Sequence, residues 1–222
     1  EAEPFGKRGK MADEPRFTRD QPDVRKRKLI EAAALCLAEL GHAGTSVRAV
    51  AMRANVSPGL VTHHFKGIDE LIVATYAHVG EQVAAVLNQA IDDATGGPEA
   101  KLRAFIDASF RPPVLDRDLL AVWLSFWSLV RRDPGVRKVH KQVYVDYRER
   151  LEALIGAIAK ERRFKIDAHL AALALTAMLD GLWLELCLDP TTFATSDALR
   201  IAHAWVDDFV AGGFKGLATI RK

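Results

Sequence analysis

Several things are scarce in this chain, and each scarcity removes a class of function. It holds only two cysteines, Cys36 and Cys187, both set among apolar residues of helical pattern. Buried free thiols in a reducing compartment fit that setting better than a disulfide, so the expected location is the cytoplasm. The seven histidines are scattered and none stands at metal-ligand spacing with a cysteine, so no metal is expected. There is no nucleophile elbow, no Gly-rich phosphate loop, no H-E-x-x-H and no carboxylate pair at catalytic spacing. An enzyme, or a bound cofactor, is therefore not expected. The N-terminus lacks the apolar core of a signal peptide. Met11 is a candidate start, which would make residues 1–10 foreign to the natural chain. No internal repeat occurs, and no stretch alternates with period two long enough for a strand.

One long apolar run does occur, Ala168 to Leu188. It contains His169, Asp180 and Glu185, whose burial in lipid would cost several kcal/mol. A core helix is the better reading, and no membrane partner is expected.

What is present is helix after helix. The fold class expected is all-α, with about nine helices. Residues 1–22 read as a mobile polar arm. A first helix runs from about Asp23 to Leu40, with Leu29, Ala32, Ala33, Cys36, Leu37 and Leu40 on its apolar side, and Gly41 stops it. Further helices are expected at 69–94, 99–110, 116–132, 133–163, 166–188 and 196–211.

Between the first helix and position 71 lies TSVRAVAMRANVSPGLVTHHFKGIDEL. Thr45 or Ser46 can cap a short helix carrying Val47, Val50, Ala51 and Ala54. Asn55 suits the left-handed turn that ends it. Ser57 caps again, Pro58 suits a first helical position, and a second two-turn helix presents Thr62, His63 and His64. Charge supports this unit as a polyanion-binding front. Residues 16–67 hold nine Lys/Arg against four acids, or +5, in a chain whose total is +2. Arg25, Lys26, Arg27 and Lys28 crowd the start of the first helix, where the dipole disfavours cations unless phosphates neutralise them.

A helix fits the major groove and reads bases from its N-terminal end. The base-reading candidates are therefore Pro58, Gly59, Leu60, Thr62 and His63, with Ser57 at the entry. The phosphate candidates are Thr45, Ser46, Arg48, His64 and Lys66. Arg53 and His42 read as ordinary solvated groups. The domain division expected is 23–68 for this helix-turn-helix unit and 69–222 for the remainder.

These residues resemble the TetR family of transcriptional repressors. The resemblance rests on Gly41, Thr45, Val50-Ala51, Ala54, Val56-Ser57, Gly59, His63, Phe65 and Leu71. The turn often has Gly where this chain has Asn55. His64 stands where the family often has a phosphate-bonding Tyr. Where family members commonly place a phosphate-binding Lys, this chain has Ile68, with Lys66 nearby. AVWLSFW at 121–127 and LDGLWLELCL at 179–188 are similar to BetI-type regulators of choline–glycine betaine metabolism.

The resemblance implies a repressor that binds palindromic operator DNA as a homodimer through residues about 167–211, released by a small molecule such as choline or betaine aldehyde. Within the last helices, Leu199, Ile201, Ala202, Trp205, Val206, Phe209 and Val210 would extend the dimer surface. Aromatic faces attract quaternary ammonium. The ligand-binding candidates are thus Trp123, Phe126, Trp127, Tyr144, Asp180 and Trp183, with Glu185 an alternative carboxylate and Tyr147 paired with Tyr144. The contrasting reading is a helical adaptor whose basic face binds protein or RNA and senses no small molecule.

Overall fold

The computed structural model describes residues 22–212 and 214. The expected arm and foreign leader (1–22), with Arg16 and Arg19, lie almost wholly outside the described residues, as do the closing residues 215–222. Among the described residues there are nine α-helices and no strand.

The first three helices form a small unit with its own core. α1 spans Pro22–Gly44, α2 Val47–Arg53 and α3 Pro58–His64. Leu29, Ala33 and Cys36 of α1 pack with Val50, Ala51, Val61 and Phe65 in one buried cluster. Gly41 interrupts α1 as expected, with φ of 64° inside the helical span; one further turn follows to Gly44. Leu40 corrects the expected apolar face of α1. It is 51% exposed, because the break at Gly41 ends the stripe one turn earlier.

α4 spans Ile68–Asp93 and is shared. Its Leu71 belongs to the first cluster, while Ile72, Tyr76 and Val79 belong to a second. That second cluster takes in Leu37 of α1, Val122, Trp123 and Phe126 of α6 (Arg117–Leu129), and Val136 of α7 (Pro134–Arg162). Packing is therefore continuous across the expected boundary at 68/69. The third and largest cluster joins α4 to α5 (Pro98–Ser109), α7, α8 (Ala168–Leu188) and α9 (Thr195–Val210).

α6 stops three residues before its expected end. Arg137 reaches back to cap the freed carbonyls, its guanidinium donating to Val130 O (3.1 Å) and Arg131 O (3.0 Å). Asp133 then caps α7 by accepting from Val136 N–H at 2.8 Å.

α4 and α7 lie side by side in the same direction. Val73 faces Gly135 and Gly80 faces Val143, so contact order rises together along both helices. A Cβ on Gly80 or Gly135 would stand only 2.7 or 2.8 Å from a valine methyl. Small residues at these two points let the helices approach that closely.

α8 buries Ala171, Ala172, Leu175, Thr176 and Leu179, but leaves Leu170, Leu173 and Leu188 exposed. The core-helix reading therefore holds for one face only. Among the described residues α8 is also the one helix long and apolar enough to cross a membrane. In α9, Ala202, Val206 and Phe209 sit in the protomer's own core, which removes them from the expected dimer surface; Ile201 stays exposed.

The α2–α3 turn hinges on Asn55 at φ 53°. A Cβ-branched residue there pays the left-handed penalty that Asn tolerates. Asn55→Val should lower stability by about 1–2 kcal/mol, whereas Asn55→Gly should be near neutral. Thermal unfolding of the two variants against the parent chain checks this.

Candidate nucleic-acid interface and ligand cavity

The α2–turn–α3 unit is held from beneath and open above. Ser46, not Thr45, caps α2: its Oγ accepts from Ala49 N–H at 3.2 Å. Thr45 is buried, and its hydroxyl donates to Gly41 O at 2.7 Å. That withdraws it from the phosphate candidates, since the group is committed to bracing the α1 break. The turn is closed by Val56 N–H donating to Ala51 O at 2.9 Å. Ser57 occupies the N-cap position of α3 in extended backbone, but makes no side-chain cap bond, contrary to the expected cap. Pro58 instead supplies a preset first turn.

Val61 and Phe65 anchor α3 downward at 0% and 2% exposure. Ser57, Pro58, Gly59, Thr62 and His63 face outward with Ser46, Arg48 and Lys66, while Leu60 and His64 are half-buried. Thr62 Oγ1 donates to Gly59 O at 3.1 Å, leaving its methyl and lone pairs outward. His64 meets His63 edge-on, with centroids 5.3 Å apart. Burial, then His63, Arg25 and Lys26, push its pKa down. Lys26 lies over the Phe65 ring at 5.6 Å, so the cations of α1 border the same surface. Ile68 explains the missing lysine. It is partly buried and packs against both the first and second clusters, so this chain uses the position for apolar packing. Arg53 pairs with Glu39 across α1 and α2.

The cavity lies deeper, between α4, α6, α7 and α8, with a volume of about 340 Å³. Of the sequence-nominated residues, Trp123, Trp127, Tyr144, Asp180 and Trp183 line it. Phe126 does not. It is fully buried and stacks flat on Tyr76 at 4.2 Å, so it backs the wall instead of forming it. Glu185 is also excluded, since it is exposed and lies five residues beyond Asp180, about 140° round α8. The Trp123 and Trp127 rings are 6.5 Å apart and tilted at 39°. Both indole N–H groups are buried without a protein partner. A buried donor left unpaired costs about 1–3 kcal/mol. Trp183 is pinned differently, its Nε1 donating to Ser109 O at 2.9 Å.

Of the three carboxylates that line the cavity, Glu81 and Asp146 are exposed and only Asp180 is withdrawn from solvent. Burial pushes its pKa up from 3.8 to about 6, opposed by a hydrogen bond from Tyr144 and by the charge of Arg148. Tyr144 and Tyr147 are both held well above the usual phenol range, chiefly by burial and then by the Asp180 charge. They are therefore neutral hydroxyls. Tyr76, behind the wall, shares a 2.8 Å hydrogen bond with His140 Nδ1, and burial pushes that histidine's pKa down.

Sequence reasoning missed the α4 contribution: Ala77, Gly80, Ala84 and Leu87 line the cavity at one-face helical spacing. Small residues at such spacing read as ordinary packing. Tyr147 was seen only as a partner of Tyr144, although it also lines the wall.

Comparison with known proteins agrees with this geometry. Residues 29–75 match the family of bacterial regulatory proteins of the tetR type. Residues 98–211 match the C-terminal domain of the BetI-type transcriptional repressor. An HTH-type transcriptional regulator BetI from Paraburkholderia phymatum is 35% identical over 189 residues, covering 85% of this chain and 94% of the relative. A candidate transcriptional regulator from Pseudomonas aeruginosa PAO1, solved as a crystal structure, superposes with a TM-score of 0.85 at 42% identity, covering 91% of this chain and 98% of that one. A regulator from Saccharomonospora viridis, solved in complex with choline, has a TM-score of 0.75 at 16% identity, covering 90% and 100%. That last resemblance is one of fold. The relatives' names are those of transcriptional regulators, not of enzymes. Carrying a helix-turn-helix unit at one end and a BetI-type domain at the other, this chain belongs to the TetR family of transcriptional repressors.

Proposed function

We propose that this repressor binds palindromic operator DNA as a homodimer and is released by a small quaternary ammonium ion such as choline or betaine aldehyde. The observation that carries the reading is the cavity: two tilted indoles, a neutral tyrosine and one buried carboxylate, walled on one side by the helix that begins directly behind α3. Aromatic faces and a carboxylate are the two groups that recognise a cation unable to donate hydrogen bonds. The choline complex of the Saccharomonospora viridis regulator supports it by analogy of fold.

In this reading residues 23–68 are the output unit and 69–222 the sensing and dimerising unit. Ser57, Pro58, Gly59, Leu60, Thr62 and His63 meet base edges. Ser46, Arg48, His64 and Lys66 meet phosphates. The exposed faces of α8 and α9, with Leu170, Leu173 and Ile201, cover each other across a two-fold axis, which sets two α3 helices about one duplex turn apart. Cation binding favours a spacing unsuited to successive major grooves, transmitted by α4. The work is done in the cytoplasm, where operator and effector meet.

Three outcomes test this. Saturating choline should lower affinity for the palindrome at least tenfold in a fluorescence-anisotropy titration, while sedimentation shows the dimer intact. Equal affinity with and without choline refutes the release step.

The cation should bind the ionised form of Asp180. Choline affinity measured calorimetrically should therefore hold above pH 6 and fall toward tenfold per unit below it.

Asp180→Asn should weaken choline binding yet stabilise the unliganded fold at pH 7. Because the folded pKa is raised, Asp180 contributes most stability below pH 3.8 and loses it as pH rises through about 6. Removing that loss is worth on the order of 2–3 kcal/mol at neutral pH, readable as a higher Tm whose excess vanishes near pH 4. A variant that merely damaged the cavity would lose both binding and stability.

A further inference from the structure

The cavity is too long for choline alone. Its α4 wall runs from Ala77 to Asn88 and its α7 wall from Val139 to Arg150. Each covers eleven residue steps, or about 16 Å at the helical rise. The two helices run in the same direction, as the Val73–Gly135 and Gly80–Val143 contacts show. Gly80 and Val143 touch partway along, so the elongated cavity runs beside this seam, with α4 and α7 contributing its edge. Choline has about seven heavy atoms, and at roughly 30 Å³ per water-sized group fills on the order of 200 Å³. Its four backbone bonds, near 1.5 Å each, reach at most about 6 Å. The cavity holds about 340 Å³.

The ends of the channel differ chemically. Trp123 is in edge contact with Tyr76 at 5.3 Å, which places the indoles at the end nearer α3, and Asp180 takes a hydrogen bond from Tyr144, close to the middle of the α7 wall. At the other end stand Leu87 and Phe105, with Arg150 and, one turn before it, Asp146, both exposed. Those two charges are of opposite sign and face solvent, so what this end offers a ligand is chiefly apolar surface. Between the ends the α4 wall is Gly80, Ala84 and Leu87, with the exposed Glu81 beside Gly80.

Resting on the cation reading above, we infer that the cavity takes an elongated ammonium ion, its cationic head at the indoles and Asp180 and an apolar chain of several carbons laid along the α4–α7 seam toward Leu87. The chain supplies the affinity that a head group of choline's size leaves unused, because each methylene removed from water adds its own burial energy.

The test is calorimetric titration of the full-length protein with tetramethylammonium, choline, butyltrimethylammonium and hexyltrimethylammonium, and with hexanol as the uncharged counterpart. Affinity should rise about three- to fourfold per methylene from the short members to the hexyl compound, and hexanol should bind at least tenfold more weakly than hexyltrimethylammonium. Ala84→Phe, placed midway along the channel at an exposed position, should bring the ratio of hexyl- to tetramethylammonium affinity close to one. A flat series in which choline binds as tightly as the hexyl compound overturns the inference while leaving the cation reading standing. Hexanol matching the hexyl ammonium also overturns it, since the head would then carry nothing. No ammonium bound by folded protein overturns the inference and the reading beneath it together.

Discussion

Two adjacent residues, Leu71 and Ile72, hold the molecule together as a device. Both are buried, yet in different cores: Leu71 beneath the helix-turn-helix unit and Ile72 among the residues of α6 and α7. On a continuous helix neighbouring side chains diverge by about 100° and cannot reorient independently. Any rotation or tilt of α4 therefore disturbs both cores at once. Cys36 and Leu37 of α1 repeat the arrangement, and Ser125 of α6 reaches the Leu37 carbonyl at 3.4 Å. The reading unit is thus tied to the body at three helices, with α4 the longest lever among them.

The cavity is built onto that lever from the opposite side. Tyr76 mediates: fully buried, stacked on Phe126, edge-on to Trp123 and hydrogen-bonded to His140. One face of α4 sees cavity aromatics within a single ring contact, and four residues earlier the same helix enters the second core at Ile72. Interiors packed this closely transmit small displacements because they offer no slack to absorb them. The close approaches at Gly80 and Gly135 remove slack along the α4–α7 seam as well. Asp180 shows the cost of such a site. A carboxylate pushed to a pKa of about 6 opposes folding at neutral pH, and the body tolerates it through a large third core spanning five helices.

Much of this was legible beforehand. Helix number and most boundaries followed from apolar spacing and from Gly and Pro at the breaks. The left-handed Asn55 followed from residue type. Five of six nominated cavity residues line the cavity, because aromatics four apart on one helix and an acid within an apolar helix leave few alternatives. The failures have a common cause. Thr45, Phe126 and Glu185 were each assigned by residue type, and each is placed by a backbone break or by the angle its helix presents: Thr45 by the Gly41 break, Phe126 by stacking on Tyr76, and Glu185 by standing about 140° round α8 from Asp180.

The sequence by itself determined the local facts: which segments are helical, where most of them stop, which short helix is presented, and that the basic charge gathers near it. These depend on side-chain chemistry within a turn or two. Only the tertiary structure decided which apolar face meets which. It set α4 and α7 in the same direction at glycine distance, left a cavity beside their seam against α6 and α8, and left one face of α8 without a partner inside the protomer. Periodicity states that a face is apolar, but what that face buries against is fixed by packing among residues far apart in the chain.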